Sequence, residues 1–232
     1  MDDTQKKDVL LLALLPAVPF DGWTRAAMRE AAARAGLDAE AAETLFPKGP
    51  RDVVAWFSRW ADRETLAALT SRKMQHLRTS ERIALGVRTR LQTLLPHREV
   101  VRRSLALMAL PQNLPLGAKL LYETVDTLWH AAGDKSTDFN FYTKRGLLAG
   151  VYATTTLYWL DDRSDGQAAT NAFLARRLAE VLAIPRLKMW RRAFPIRRGF
   201  CARRAPSSNL QLRGMSVVTW PILRPGAATS LP

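Results

Sequence analysis

The sequence predicts an all-α protein. It divides into a helix-turn-helix-like three-helix domain over residues 1–50, a larger helical body over 51–185, and a basic, proline-containing tail over 186–232, partly disordered. Three observations carry this. Apolar residues recur at three- and four-residue spacing, and no period-two alternation signals a strand. Proline and glycine interrupt the pattern at helix-length intervals. Residues 126–160 concentrate one His, three Asp, two Trp and five other aromatics into two helical segments joined by a short polar break.

Lys6 to Val18 places apolar residues at 9, 10, 13, 14 and 17, a helical spacing that Pro16 and Pro19 cut short. After the turn Phe20-Asp21-Gly22, Thr24 is the N-cap of an Ala-rich helix that Gly36 closes. Asp38 caps a short third helix, Ala39 to Leu45, and Pro47-Lys48-Gly49-Pro50 breaks the chain again. Asp52 opens a longer helix with Val53, Val54, Trp56, Phe57 and Trp60 on its apolar side. This order resembles the N-terminal domain of TetR-type regulators. In such a domain the third helix would read DNA. Here it presents Asp38, Glu40, Glu43 and alanines, and acids there repel phosphate. The expectation is a structural domain without a nucleic-acid partner.

From Leu66 to Leu95 the spacing is again helical, with a restart at Ser80-Glu81-Arg82, and Arg72, Lys73, Arg78, Arg82, Arg88 and Arg90 are expected on a solvated face. Val100 to Leu110 is nearly all apolar after Arg102 and Arg103, hence buried or pocket-lining. The loop Pro111 to Pro115 leads to a helix from Gly117 to Ala132, stopped by Gly133. Ser136 or Thr137 caps the next helix, which runs to about Leu160, and Thr170 to Leu182 forms the last.

The net charge of +14 is unevenly spread. Residues 1–70 hold nine Lys/Arg and eleven Asp/Glu, residues 71–185 sixteen and ten, and residues 186–232 ten and none. The excess sits on the tail, so it does not mark the whole chain as a nucleic-acid binder. Residues 186–204 interleave Arg with Trp190, Phe194 and Phe200 and read either as a membrane-surface segment or as a disordered tail. The acidic start and the short apolar run Val9–Leu15 argue against a secretory signal or a membrane span. A soluble, cytoplasmic protein is expected.

Glu123, Asp126 and His130 share one helical face, but no Glu-x-x-His pair accompanies them, so a polar hinge is favoured over a metal site. No phosphate-binding Gly loop, Gly-x-Ser-x-Gly nucleophile or zinc spacing is present. Neither an enzyme, nor a cofactor, nor a bound metal is expected. Phe139, Phe141 and Tyr142, interleaved with Asp134, Asp138, Lys144 and Arg145 at a helix start, have the composition of a protein–protein hot spot.

The run Trp129-His130-Ala131-Ala132-Gly133-Asp134, followed by Ser136 through Arg145, resembles the signature of the lipid-binding accessory proteins of ubiquinone (coenzyme Q) biosynthesis, the Coq-nine family. Gly22-Trp23-Thr24, Leu110-Pro111-Gln112-Asn113, Tyr152 and Thr154-Thr155 extend the similarity over roughly residues 8–180. The resemblance implies a TetR-like fold that is not a repressor, with an apolar pocket in the helical body for an isoprenoid quinone intermediate or a phospholipid. Leu107, Leu121, Val125, Leu148, Val151 and Tyr152 are the expected lining residues. It also implies a patch that docks the di-iron demethoxyubiquinone hydroxylase, comprising Asp126, Leu128, His130, Asp138, Phe141, Tyr142 and Arg145. Position 141 is often Trp in the family and is Phe here. Family members end in an amphipathic membrane-binding helix, and the tail after Arg192 departs from that pattern. Peripheral association with the inner face of a membrane and homodimer formation stay open, as does the alternative of a ligand-responsive TetR-type regulator.

Overall fold

The computed structural model describes residues 1–38, 40–72, 74–133 and 140–193, the last stretch with its side chains over 143–181. Its described regular elements are helices: α1 (Asp3–Leu14), α2 (Val18–Asp21), α3 (Arg25–Arg34), α4 (Ala41–Leu45), α5 (Pro50–Thr70), α6 (Thr79–Thr93), α7 (Arg98–Met108), α8 (Leu114–Ala131), α9 (Asn140–Asp161) and α10 (Ala168–Ala193), with single 3-10 turns at 95–97, 111–113 and 165–167. Residues Met1–Ala193 form one compact unit.

α1 begins earlier than its apolar spacing suggests. Asp2 accepts from the Gln5 backbone N–H at 2.6 Å while Gln5 Oε1 accepts from the Asp2 N–H, a reciprocal cap that starts the helix at Asp3. Leu10, Leu11 and Leu14 are fully buried where α1 packs on α3, α4 and α5, whereas Val9 is exposed. Thr24 caps α3 through the Ala27 N–H, as expected. α4 has no side-chain cap: its N-cap is Glu40, not Asp38. Trp23 ties this end of the chain to α7, its indole N–H donating to Ser104 Oγ at 3.1 Å in the core.

α5 runs through the middle of the body and packs on α1, α6 and α8, while α8 also packs on α9 and α9 on α10. The break at Gly133 has a backbone cause: its φ of +83° is one that residues with a Cβ rarely adopt. Arg82 reinforces the stop by donating to the Ala132 carbonyl at 3.2 Å. At the far end of α9, Arg98 and Arg102 donate to the Asp162 and Leu160 carbonyls, placing cations where the helix dipole is negative. α10 continues to Ala193 instead of ending at Leu182. Pro185 lacks one backbone donor but does not stop the helix here.

Asp162 organises the α9–α10 corner. Burial alone would raise its pKa, but the N–H and hydroxyl groups of Ser164 and Thr170 all donate to its carboxylate and hold it well below the usual range. A depressed folded-state pKa gives stability that is present above the unfolded value, about 4, and is lost as pH falls below it. Asp162→Asn is therefore expected to cost about 2 kcal/mol at pH 7 and to flatten the loss of stability below about pH 4. Urea denaturation at pH 7 and pH 3 checks both; an unchanged acid limb would contradict this role.

Candidate functional site

A cleft of about 620 Å³ opens between α5, α6, α7, α8 and α9. Its wall is almost wholly apolar. Val54, Phe57 and Ala61 come from α5, Val101, Leu105 and Met108 from α7, and Leu120, Leu121 and Leu157 from α8 and α9. Leu105, Leu114 and Leu157 line it and are also exposed, so they stand at its opening to solvent.

One part of the wall is polar. Arg90, on α6, is 4% exposed, and its Nη1 lies 2.6 Å from Asp62 Oδ1. Its Nε donates to Tyr152 Oη at 2.7 Å, and its Nη2 to Thr124 Oγ1 at 3.2 Å and Ser58 Oγ at 3.4 Å. Thr124 in turn donates to Asp62 Oδ2 at 3.3 Å. Burial would lower the Arg90 pKa, but the Tyr152 oxygen and the Asp62 carboxylate outweigh it and raise it. Burial raises the Asp62 pKa in spite of Arg90. The guanidinium stays cationic and ties α5, α6, α8 and α9 together beside the cleft.

Leu121 and Tyr152 line the cleft. Val125, Leu148 and Val151 lie in the core on the faces that join α8 and α9 to their neighbours, and Leu107 packs against the core edge, so these four do not line it. The α5 wall was missed in the sequence because Val54 and Phe57 read as ordinary core. Arg90 also departs from expectation, being buried instead of lying on a solvated face. Asp62 offered the available signal: it falls on the buried stripe of α5 with Val54, Phe57, Ala61 and Thr65, where a carboxylate requires a cation.

The second expected site lies at the end of α8. Asp126 Oδ1 accepts from Arg145 Nε at 2.6 Å, and Oδ2 lies 3.4 Å from His130 Nε2. His130 is largely exposed, but Leu128 and Arg145 are each 2% exposed. Leu128 cannot be a surface contact because it fills the space above Gly86 of α6, and Arg145 sits beneath Asp126 as its partner. Asp138 lies outside the described residues, as do the side chains of Phe141 and Tyr142. Glu123 pairs with Arg59 in a two-pronged contact at 3.0 and 3.3 Å. Among the described residues no group of three or more His, Cys, Asp or Glu is placed to hold a metal ion.

Residues 114–185 match the COQ9 family model. The chain is 36% identical over 179 residues to the mitochondrial ubiquinone biosynthesis protein COQ9 of Rattus norvegicus, covering 75% of this chain and 57% of that protein. It is 34% identical over 186 residues to the COQ9 protein of Homo sapiens, covering 78% and 58%. The chain thus spans less than two thirds of the length of these two relatives. Against the mitochondrial protein coq9 of Schizosaccharomyces pombe the identity is 30% over 186 residues, covering 79% of this chain and 72% of that one. Among solved structures, a TetR transcriptional regulator from Nitrosomonas europaea superposes with a TM-score of 0.62 at 19% identity, covering 76% of this chain and 97% of that one. That similarity shows the fold alone.

Proposed function

Because the chain belongs to the COQ9 family, we propose that it serves ubiquinone biosynthesis as a non-catalytic, lipid-binding accessory protein. Its role in this reading is to take up a polyprenyl quinone intermediate and present it to the di-iron demethoxyubiquinone hydroxylase. The observation that carries the reading is the 620 Å³ apolar cleft in the helical body. A polyprenyl chain gains about 0.8 kcal/mol per methylene by staying out of water, and the cleft offers an apolar surface with which to leave the bilayer. Exposed Leu105, Leu114 and Leu157 at its opening favour loading from an apolar phase. No described helix is long and apolar enough to cross a membrane, which is consistent with peripheral attachment to the face of the membrane that holds the quinone.

Docking of the hydroxylase is assigned to the exposed side of the α8 end, where Asp126 and His130 stand, continuing into the segment with Asp138, Phe141 and Tyr142. Leu128 and Arg145 then serve by holding that end in place. The TetR-type regulator reading is disfavoured by α4 and the residues leading into it, where Asp38 and Glu40 are exposed and Glu43 pairs with Arg29. Native mass spectrometry of the purified chain mixed with extracted membrane lipid is expected to show a bound isoprenoid or phospholipid. Recovery of lipid-free protein alone, or salt-sensitive and sequence-specific retardation of DNA, would overturn the proposal.

A further inference from the structure

We propose that the cleft selects a neutral lipid bearing a carbonyl oxygen, held by the Tyr152 hydroxyl. This rests on the lipid-binding reading above and specifies the chemistry of the ligand. Most hydroxyls along the cleft wall already have an acceptor, and Tyr152 is the exception that is also firmly held. Ser104 donates to the Val100 carbonyl, Thr156 to the Tyr152 carbonyl and Thr124 to Asp62. Tyr152 Oη accepts from Arg90 at 2.7 Å, so its lone-pair side is engaged while its own proton has no acceptor among the described residues. Tyr152 is 8% exposed and borders the cleft, and a hydroxyl proton left there without a partner calls for an acceptor on the ligand. The Ser58 hydroxyl likewise has no acceptor among the described residues, but it is less buried and its oxygen lies 3.4 Å from Arg90 Nη2, a longer and weaker tether.

The charge state beside Tyr152 sets the class of acceptor. Arg90 is balanced by Asp62 at 2.6 Å, so this part of the wall is neutral overall and gives a carboxylate or phosphate no net attraction. The rest is apolar and matches a hydrocarbon chain. An uncharged carbonyl on a long chain satisfies both, whether it belongs to a quinone ring or to a lipid ester.

The test uses the full chain equilibrated with equal amounts of decylubiquinone, methyl tetradecanoate and decylbenzene, followed by gel filtration, extraction and quantification of the bound probes. Tyr152→Phe is expected to lower the ratio of bound carbonyl probe to bound decylbenzene by roughly fivefold, and Ser58→Ala to leave it unchanged. A fall for the quinone alone identifies the ring as the source of the carbonyl, and a fall for the ester alone identifies a lipid ester. Unchanged ratios in Tyr152→Phe, or a loss in Ser58→Ala in its place, would overturn the assignment to Tyr152 and leave the lipid-binding reading standing. Failure of the unaltered protein to retain any probe would overturn both. Should Tyr152→Phe not fold, the infrared carbonyl band of bound decylubiquinone decides: a shift to lower frequency from its position in dry alkane supports the bond, and an unshifted band refutes it.

Discussion

Arg90→Met is expected to destabilise the protein by about 3–5 kcal/mol, the cost of leaving Asp62 buried without its cation. Asp62 is 7% exposed, and among the described residues Thr124 is the only other side chain that donates to it, a neutral hydroxyl that does not replace the lost charge. The pH dependence follows from the direction of its shift. Burial already raises the Asp62 pKa, and removing Arg90 removes the largest opposing influence. A carboxyl whose folded-state pKa is raised is tolerated below its unfolded value and becomes costly as pH rises through the folded one. The deficit of Arg90→Met should therefore be smallest near pH 4 and grow toward neutrality. Adding Asp62→Leu should recover most of it, because two well-packed apolar groups replace the pair without an orphan charge. Urea midpoints of the single and double variants at pH 4 and pH 7 measure this. An exposed pair such as Arg177–Glu180 sets the contrast, being worth less than about 1 kcal/mol. A loss of that size at Arg90 would mean that water reaches Asp62.

The second large effect falls on ligand uptake. Ala153 follows Tyr152 on α9, is half-buried and lines the cleft, so Ala153→Trp directs an indole into the space that a lipid chain would occupy. Excluding two methylenes at about 0.8 kcal/mol each already lowers affinity more than tenfold. Bound lipid recovered from Ala153→Trp is therefore expected to fall at least about tenfold. Its thermal midpoint should stay close to that of the unaltered protein, because the indole enters empty space and does not force a packed core apart. Undiminished lipid on a folded variant would place the binding surface elsewhere on the molecule.

The two sites differ in how much of them the sequence revealed. The end of α8 was legible: Gly133 marked the break, and the structure gives it the positive φ that the break requires. Asp126 and His130 were correctly placed on one face, since their spacing of four residues fixes that geometry. Leu128 and Arg145 were not, because belonging to a surface motif does not reveal which side of the helix meets a neighbour. At the cleft, Val125, Leu148 and Val151 have the same residue types as Leu121, and composition alone cannot separate a wall from a core.

What the sequence by itself determined was local. The caps at Asp2 and Thr24, the stop at Gly133 and the helical spacing of the body follow from interactions within a few residues. The rotation of α1 was not local: Val9–Leu15 is apolar throughout, and only packing against α3, α4 and α5 turns Leu10, Leu11 and Leu14 inward and Val9 out. The cleft and its polar wall lay further still from local reach. Asp62, Arg90, Thr124 and Tyr152 belong to four helices, and the charge on Arg90 reads as a solvated residue until α5, α8 and α9 enclose it. Tertiary structure decided those positions because burial belongs to the neighbours a residue acquires, and helical periodicity fixes only which residues share a face.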